Sequence, residues 1–226
     1  MQIGEATFGE AIALPFPLQT AVAALHVYLG MEVPGGRAAT AQEEKVLIWG
    51  AGGAVGGYAV QYAKSVGYTV IATASPRAAP HLKAIGASTV LDYKSPTIVN
   101  DLRALDPYAY FFTASGDPAS QHAIADLLQP EGGKFASVLP GKDVELPSNV
   151  ERIYDTFSSA AQKEGPVFEK FSKWWYGDYL PKAIRDRRIE PTAFEKRSGG
   201  LGAIQKAADE VLGGSLKAKL VLNPQE

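Results

Sequence analysis

Cysteine is absent from this 226-residue sequence, which excludes disulfides, thiolate nucleophiles and zinc sites with sulfur ligands. Such a chain suits a reducing compartment, and a soluble cytoplasmic protein is expected. A surplus of either charge is also lacking: 22 Lys and Arg against 24 Asp and Glu leave a net charge of -2. There is no basic footprint for nucleic acid or anionic lipid, so neither nucleic acid nor membrane is expected as a partner. The opening Met1-Gln2-Ile3-Gly4-Glu5 lacks the cationic and apolar regions of a signal peptide. No apolar run approaches the roughly 20 residues that span a bilayer. The histidines, His26, His81 and His122, lie far apart without the spacing of metal ligands, so structural roles and no metal are expected. Internal repeats and low-complexity tracts are missing too.

What is present is an ordinary globular composition, 46% hydrophobic and 20% charged, in a chain long enough to bury a core. Its most informative stretch runs from Val46 to Gly56, a buried-strand pattern entering the turn Gly50-Ala51-Gly52-Gly53-Ala54-Val55-Gly56. The helix that follows buries Val55, Ala59, Tyr62, Ala63 and Val66, a spacing that keeps one face apolar. A tight glycine turn between a strand and a helix start brings backbone N–H groups close to a pyrophosphate, and the helix dipole favours the anion.

Alternation continues beyond it. Strands are read at Lys45–Trp49, Thr69–Ala72, Thr89–Leu91, Tyr108–Ala114 and Gly133–Leu139. Helices are read at Pro80–Ile85, Pro96–Leu105 and Ser120–Leu128. This order predicts right-handed βαβ crossovers and an α/β fold, a Rossmann-type doubly wound parallel sheet with helices on both faces. The expected organisation is one NADP(H)-binding domain over 1–226 with its core at about 44–140. Ahead of the core stands a buried helix from near Leu18 to Gly30, after an interruption at Pro15 and Pro17, then a loop at 34–43. Residues 141–165 are mixed. Val167–Arg188 is a long helical pattern with Pro181 as its candidate break, Leu201–Leu212 a helix and Lys217–Leu222 a closing strand.

The end of the second strand discriminates between nucleotides. An NAD site carries an Asp or Glu roughly 20 residues past the first glycine, to accept from the ribose 2′-hydroxyl. Here that region reads Val70-Ile71-Ala72-Thr73-Ala74-Ser75-Pro76-Arg77, with a hydroxyl and a cation in place of the acid. Ser75 can donate to a 2′-phosphate and Arg77 can pair with it, so the pattern favours NADPH; the alternative for Arg77 is a solvated loop cation. Trp174 and Trp175 read as core packing rather than a substrate pocket. Arg185-Asp186-Arg187-Arg188 reads as an exposed helix end. No Tyr-x-x-x-Lys pair occurs, which removes the proton relay of short-chain dehydrogenases.

Taken together, Ile48–Gly56, Gln61-Tyr62-Ala63-Lys64, Ile71–Arg77 and Leu91-Asp92-Tyr93-Lys94 resemble the medium-chain dehydrogenases/reductases. The likeness is nearest to zinc-independent fungal enoyl reductases that act in trans with polyketide synthases, and to quinone-reductase-like proteins. Leu14–Ala21 and Gly199-Gly200-Leu201 also look like family segments. The resemblance implies that Gly52, Gly53, Ala54 and Val55, with Gly56, wrap the pyrophosphate. It implies that Ser75, Arg77 and Ala78 meet the 2′-phosphate and that Tyr93 lies against the adenine side. Two departures stand out. Family members begin with a GroES-like barrel that this chain does not contain, and their fourth strand often carries an Asp where Phe111 or Phe112 stands here. No catalytic residue is assigned.

Three functions stay open at this point. One is an NADPH-dependent reductase of an activated alkene, an enoyl thioester or a quinone, with a polyketide synthase as a partner. The second is a non-redox module holding NADPH or another ligand, and the third is a reused fold catalysing cofactor-independent cyclisation or isomerisation. A homodimer is the expected assembly.

Overall fold

The computed structural model describes residues 5–32, 44–214 and 218–226. The loop expected at 34–43, the first residues of the chain and residue 217 of the expected closing strand lie outside them. The described chain opens with helices α1 (Phe8–Ala13) and α2 (Pro15–Val22) and a π-helical turn (Ala23–Tyr28). There follow β1 (Lys45–Trp49), α3 (Ala54–Ser65), β2 (Thr69–Ala74), a 3-10 turn (Pro76–Ala78), α4 (Ala79–Ala84) and β3 (Ala87–Asp92). Next come α5 (Ile98–Arg103), β4 (Tyr110–Thr113), α6 (Pro118–Leu127), β5 (Gly133–Ser137) and β6 (Val150–Ile153). A 3-10 turn (Phe157–Gln162), α7 (Pro166–Trp174), a second π-helical turn (Trp175–Tyr179) and α8 (Leu180–Arg185) lead to β7 (Phe194–Arg197). A further 3-10 turn (Gly200–Ala203), α9 (Ile204–Leu212) and β8 (Lys219–Leu222) complete it.

The chain divides into two compact units, Pro17–Trp175 and a smaller one formed by the residues up to Phe16 with Tyr176–Glu226. The larger unit holds a six-stranded sheet in the order β3-β2-β1-β4-β5-β6, and every neighbouring pair in it is parallel. That is the doubly wound order, with its reversal between β1 and β4. Leu47, Trp49, Ile71, Phe111, Phe135 and Val150 line one face, packed with Ile98 and Leu102 of α5, Ile124 and Leu127 of α6, and Leu128, which follows α6. The alternate residues Val46, Ile48, Val70, Ala72, Phe112 and Ala136 are equally buried and point the other way; α3 and the first π-helical turn pack against the sheet. Each fully buried aliphatic or aromatic side chain contributes about 1.5–3 kcal/mol, so these two faces dominate the unit's stability. Phe111 and Phe112 are thus the core residues of β4, one on each face.

Tyr28, at the end of the π-helical turn, donates to Asp155 Oδ2 at 2.6 Å and accepts from Lys163 Nζ at 2.9 Å. Lys163 also pairs with Asp155, and the Tyr28 ring meets Phe157 edge-on at 4.9 Å. The chain just before the sheet and the chain just after it are tied at this point. In the smaller unit β7 and β8 pair in parallel, Phe194 opposite Lys219 and Arg197 opposite Leu222. Arg197 binds Glu210 of α9 at 3.2 Å and Glu195 at 2.9 Å.

Several boundaries differ from the sequence reading for identifiable reasons. The N-terminal helix starts at Pro15 rather than near Leu18, because Pro15 and Pro17 fall in a first turn whose N–H groups have no intrahelical acceptor. Ahead of it, Thr7 and Glu10 form a reciprocal capping box that starts α1. The helical stretch Phe8–Tyr28 corrects the expectation about apolar runs: its 21 residues are long and apolar enough to cross a membrane, with a mean hydropathy of 1.3 over the most apolar window, 67% of which is buried. A core helix passes the same test. The break expected at Pro181 is met one turn earlier by the π-helical turn, so that Pro181 opens α8. β6 lies within the segment read as mixed, and β7 was not anticipated.

Candidate nucleotide-binding site

The carboxyl ends of β1 and β4 meet at the reversal of strand order, where open α/β sheets take their ligands. Gly50 leaves β1 with φ +78°, and a Cβ there would stand 2.9 Å from the backbone nitrogen of Ser115 in the loop after β4. The two loops therefore touch, and only glycine fits between them. Gly56 has a different reason for lacking a side chain: a Cβ would lie 2.5 Å from the Gly50 oxygen and 2.6 Å from the Ala51 Cα. It sets the close approach of α3 to its strand.

Gly53 is neither strained nor crowded. It caps α3 with extended φ -89° and ψ 170°, and a Cβ there would have no neighbour within 4 Å among the described residues. Nothing among the described residues requires glycine at this point; an open space above the helix start does. No side chain caps α3 and no acid stands in its first turn, so the N–H groups of Ala54, Val55 and Gly56 face that space with the dipole's positive end behind them. A built Cβ on Gly52 would lie 3.8 Å from Ala78 Cβ and 3.9 Å from Ala74 Cβ, which brings the turn after β1 beside the segment after β2.

That segment carries the other sequence candidates. Ser75 and Arg77 are exposed, the Ser75 side chain does not cap the 3-10 turn that follows it, and Arg77 forms no ion pair among the described residues. Tyr93 is 42% exposed in the turn after β3. The register pairs Ala74 with Asp92, so Ser75 and Tyr93 leave adjacent strands side by side. The turn, the hydroxyl and cation, and the aromatic ring thus gather at one edge.

Sequence reasoning missed the row of hydroxyls beneath this edge. Thr73, Thr113 and Ser137 are fully buried at the ends of β2, β4 and β5. Trp49 pairs with Thr73 and Thr113, and Thr113 with Ser137. Each hydroxyl accepts from a loop N–H: Gly50 on Thr73 at 3.1 Å, Gly116 on Thr113 at 2.9 Å and Leu139 on Ser137 at 3.2 Å. Buried Gln121 adds a brace, donating to the Gly116 carbonyl at 2.6 Å and accepting from Arg152 at 2.8 Å. The signal was available as a hydroxyl closing three strands, but such residues also occur where nothing binds. Asp117 caps α6 through the Ser120 N–H at 3.0 Å, and the hydrogen bonds it accepts hold its carboxyl below the usual range although burial opposes this. That helix start is satisfied by its own chain, in contrast to α3.

Of the histidines and tryptophans read as structural, His26, Trp174 and Trp175 are built into packing, whereas His81 and His122 are exposed. His26 Nδ1 lies 2.6 Å from the Met31 carbonyl oxygen, which makes it the protonated nitrogen, and the ring packs 5.5 Å from Trp174. Trp175 is fully buried and stacks on Phe171 at 5.8 Å. Among the described residues no group of three or more His, Cys, Asp or Glu could hold a metal ion.

A doubly wound parallel sheet with an uncapped helix start and an open glycine at its switch point defines the class, a Rossmann-type unit of the kind whose carboxyl edge takes dinucleotides. Comparison with known proteins narrows this. A family model described as zinc-binding dehydrogenase matches residues 54–155. The trans-enoyl reductase tndF of Aspergillus flavipes is 38% identical over 227 residues, covering 96% of this chain and 64% of its own. The trans-enoyl reductase himH of Aspergillus japonicus is 28% identical over 217 residues, covering 94% and 61%. Among solved structures, the apo JamJ enoyl reductase superposes with a TM-score of 0.73 at 18% identity, over 98% of this chain and 64% of that one. These likenesses support membership of the medium-chain dehydrogenase/reductase superfamily. The chain spans less than two thirds of the length of these relatives.

Proposed function

We propose that the chain is the nucleotide-binding part of an NADPH-dependent, zinc-independent oxidoreductase that reduces an activated alkene, an enoyl thioester or a quinone. The observation that carries this reading is the pairing of two features at one edge. A helix start is left open at Gly53, where packing would accept a side chain, and Ser75 and Arg77 follow β2 where an NAD site would carry an acid. Gly52, Gly53, Ala54, Val55 and Gly56 would hold the pyrophosphate through main-chain N–H groups. Ser75 and Arg77, beside Ala78, would hold the 2′-phosphate, and Tyr93 would flank the adenine. The nicotinamide, when bound, supplies the hydride. The residues of this chain bind and orient the nucleotide, while the buried hydroxyls of Thr73, Thr113 and Ser137 fix the loops that surround it. The fungal trans-enoyl reductases among its relatives support a small-molecule substrate of polyketide type and a synthase partner.

The length comparison favours a second reading, a module that holds the nucleotide without turning substrate over alone. Fluorescence titration with NADPH and with NADH, followed by assay of NADPH oxidation with an enone or a quinone, separates the two. NADPH binding with turnover supports the reductase, and binding without turnover supports the module. Failure to bind either nucleotide removes both.

A further inference from the structure

We propose that Lys94 is a second cation of the 2′-phosphate seat and a determinant of preference for ribose-2′-phosphorylated nucleotides; this rests on the nucleotide reading above. β2 and β3 end together, with Ala74 opposite Asp92, and neighbouring strands lie about 4.8 Å apart. Ser75 and Tyr93 therefore emerge side by side, with Arg77 two residues beyond one and Lys94 immediately after the other. Both cations are exposed, and neither forms an ion pair among the described residues.

The turn that carries Lys94 is held in place. Asp92 Oδ1 accepts the Lys94 N–H at 3.0 Å, and the Asp92 carbonyl accepts the Ser95 N–H at 3.0 Å, an Asx-type turn that fixes the backbone of Tyr93 and Lys94. The Asp92 carboxylate is thereby committed to its own loop. Lys94 Nζ stands 5.8 Å from the centre of the Tyr93 ring, within reach of a cation–π contact. Its charge is kept at the margin of the aromatic surface rather than swinging freely in solvent. A phosphomonoester carries nearly two negative charges at neutral pH, more than one guanidinium neutralises, and lysine acts on phosphate as a point charge. The same lysine offsets Asp92, which would otherwise repel a dianion at the end of β3.

The test uses the full chain and ligands that report on the ribose phosphate alone: adenosine 2′,5′-bisphosphate against adenosine 5′-monophosphate, by titration calorimetry at fixed ionic strength. The wild type should prefer the bisphosphate. Lys94→Gln should cut that preference about fivefold while 5′-monophosphate affinity stays within twofold, and Arg77→Gln should cut it further. Both positions are exposed, and thermal melts of each variant check that the fold is kept. A Lys94→Gln protein that retains the full preference while Arg77→Gln loses it overturns the assignment of Lys94 and leaves the nucleotide reading standing. A wild type with no preference between the two ligands overturns both.

Discussion

Gly53 and Gly56 stand three residues apart in one turn, yet replacing each by alanine should break different things. At Gly56 the new methyl would lie 2.5 Å from the Gly50 oxygen and 2.6 Å from the Ala51 Cα, and backbone atoms cannot rotate away. Overpacking of this kind costs about 1–3 kcal/mol, and with main chain on both sides the upper figure applies. For a chain of this length, 3 kcal/mol lowers Tm by roughly 6–12 °C. At Gly53 the methyl has no neighbour within 4 Å among the described residues, and φ -89° with ψ 170° suits any residue. Alanine caps a helix less well than glycine, by up to about 1 kcal/mol, but the reduced entropy of the unfolded chain offsets this by about 0.4–1 kcal/mol, so Tm should move by no more than about 3 °C. The same methyl occupies the approach to the N–H groups of α3. Losing two charge-assisted hydrogen bonds at about 1.5 kcal/mol each weakens NADPH roughly 100-fold. Differential scanning fluorimetry and NADPH fluorescence titration on the two variants read both quantities. The reasoning fails if Gly53→Ala destabilises as much as Gly56→Ala, or if it binds NADPH as the wild type does.

Arg77→Ala should weaken NADPH about tenfold and leave NADH within twofold; an equal loss for both refutes its contact with the 2′-phosphate. Burial first, and Lys170 after it, push the His26 imidazole below its ordinary value against the pull of the Met31 carbonyl. Because the folded value is lower, the unfolded chain takes the proton first, so stability is complete above about pH 6.5 and falls as pH drops below it, by at most about 1.4 kcal/mol per unit. His26→Asn, which keeps a donor for Met31, should flatten the fall in Tm between pH 7 and 5, and an unchanged slope would exclude His26 as its source. Thr113→Val leaves the buried Gly116 N–H without its acceptor and should cost about 1–3 kcal/mol in denaturant melts. A loss below about 0.5 kcal/mol would mean that this hydroxyl does not hold the loop.

The parallel sheet was legible because its strands are buried on both sides and so read as apolar runs. Kept apart by turn residues, Val46–Trp49 and Val70–Ala72 could be placed without ambiguity. β6 escaped because it is an edge strand of four residues, Val-Glu-Arg-Ile, half exposed, whose polar pair looks like loop. β7, Phe-Glu-Lys-Arg, escaped for the same reason. The glycine turn was recognised as a unit, but sequence alone could not tell a glycine that serves the fold from one that leaves room. Gly50 and Gly56 are demanded by Ser115 and by the main chain, contacts that come from residues far along the chain or from the closure of the turn itself. The braces at the carboxyl edge were out of reach for a related reason: Gln121 and Arg152 are 31 residues apart.

The tie among Tyr28, Asp155 and Lys163 joins residues 127 and 135 positions apart, so neither flank of the sheet can peel away without releasing the other. Native-state hydrogen exchange should therefore find amides of Ala23–Tyr28 and Phe157–Gln162 sharing one opening free energy. Lys163→Met should quicken exchange at both flanks together, while the amides of β1 keep the slowest rates of the molecule.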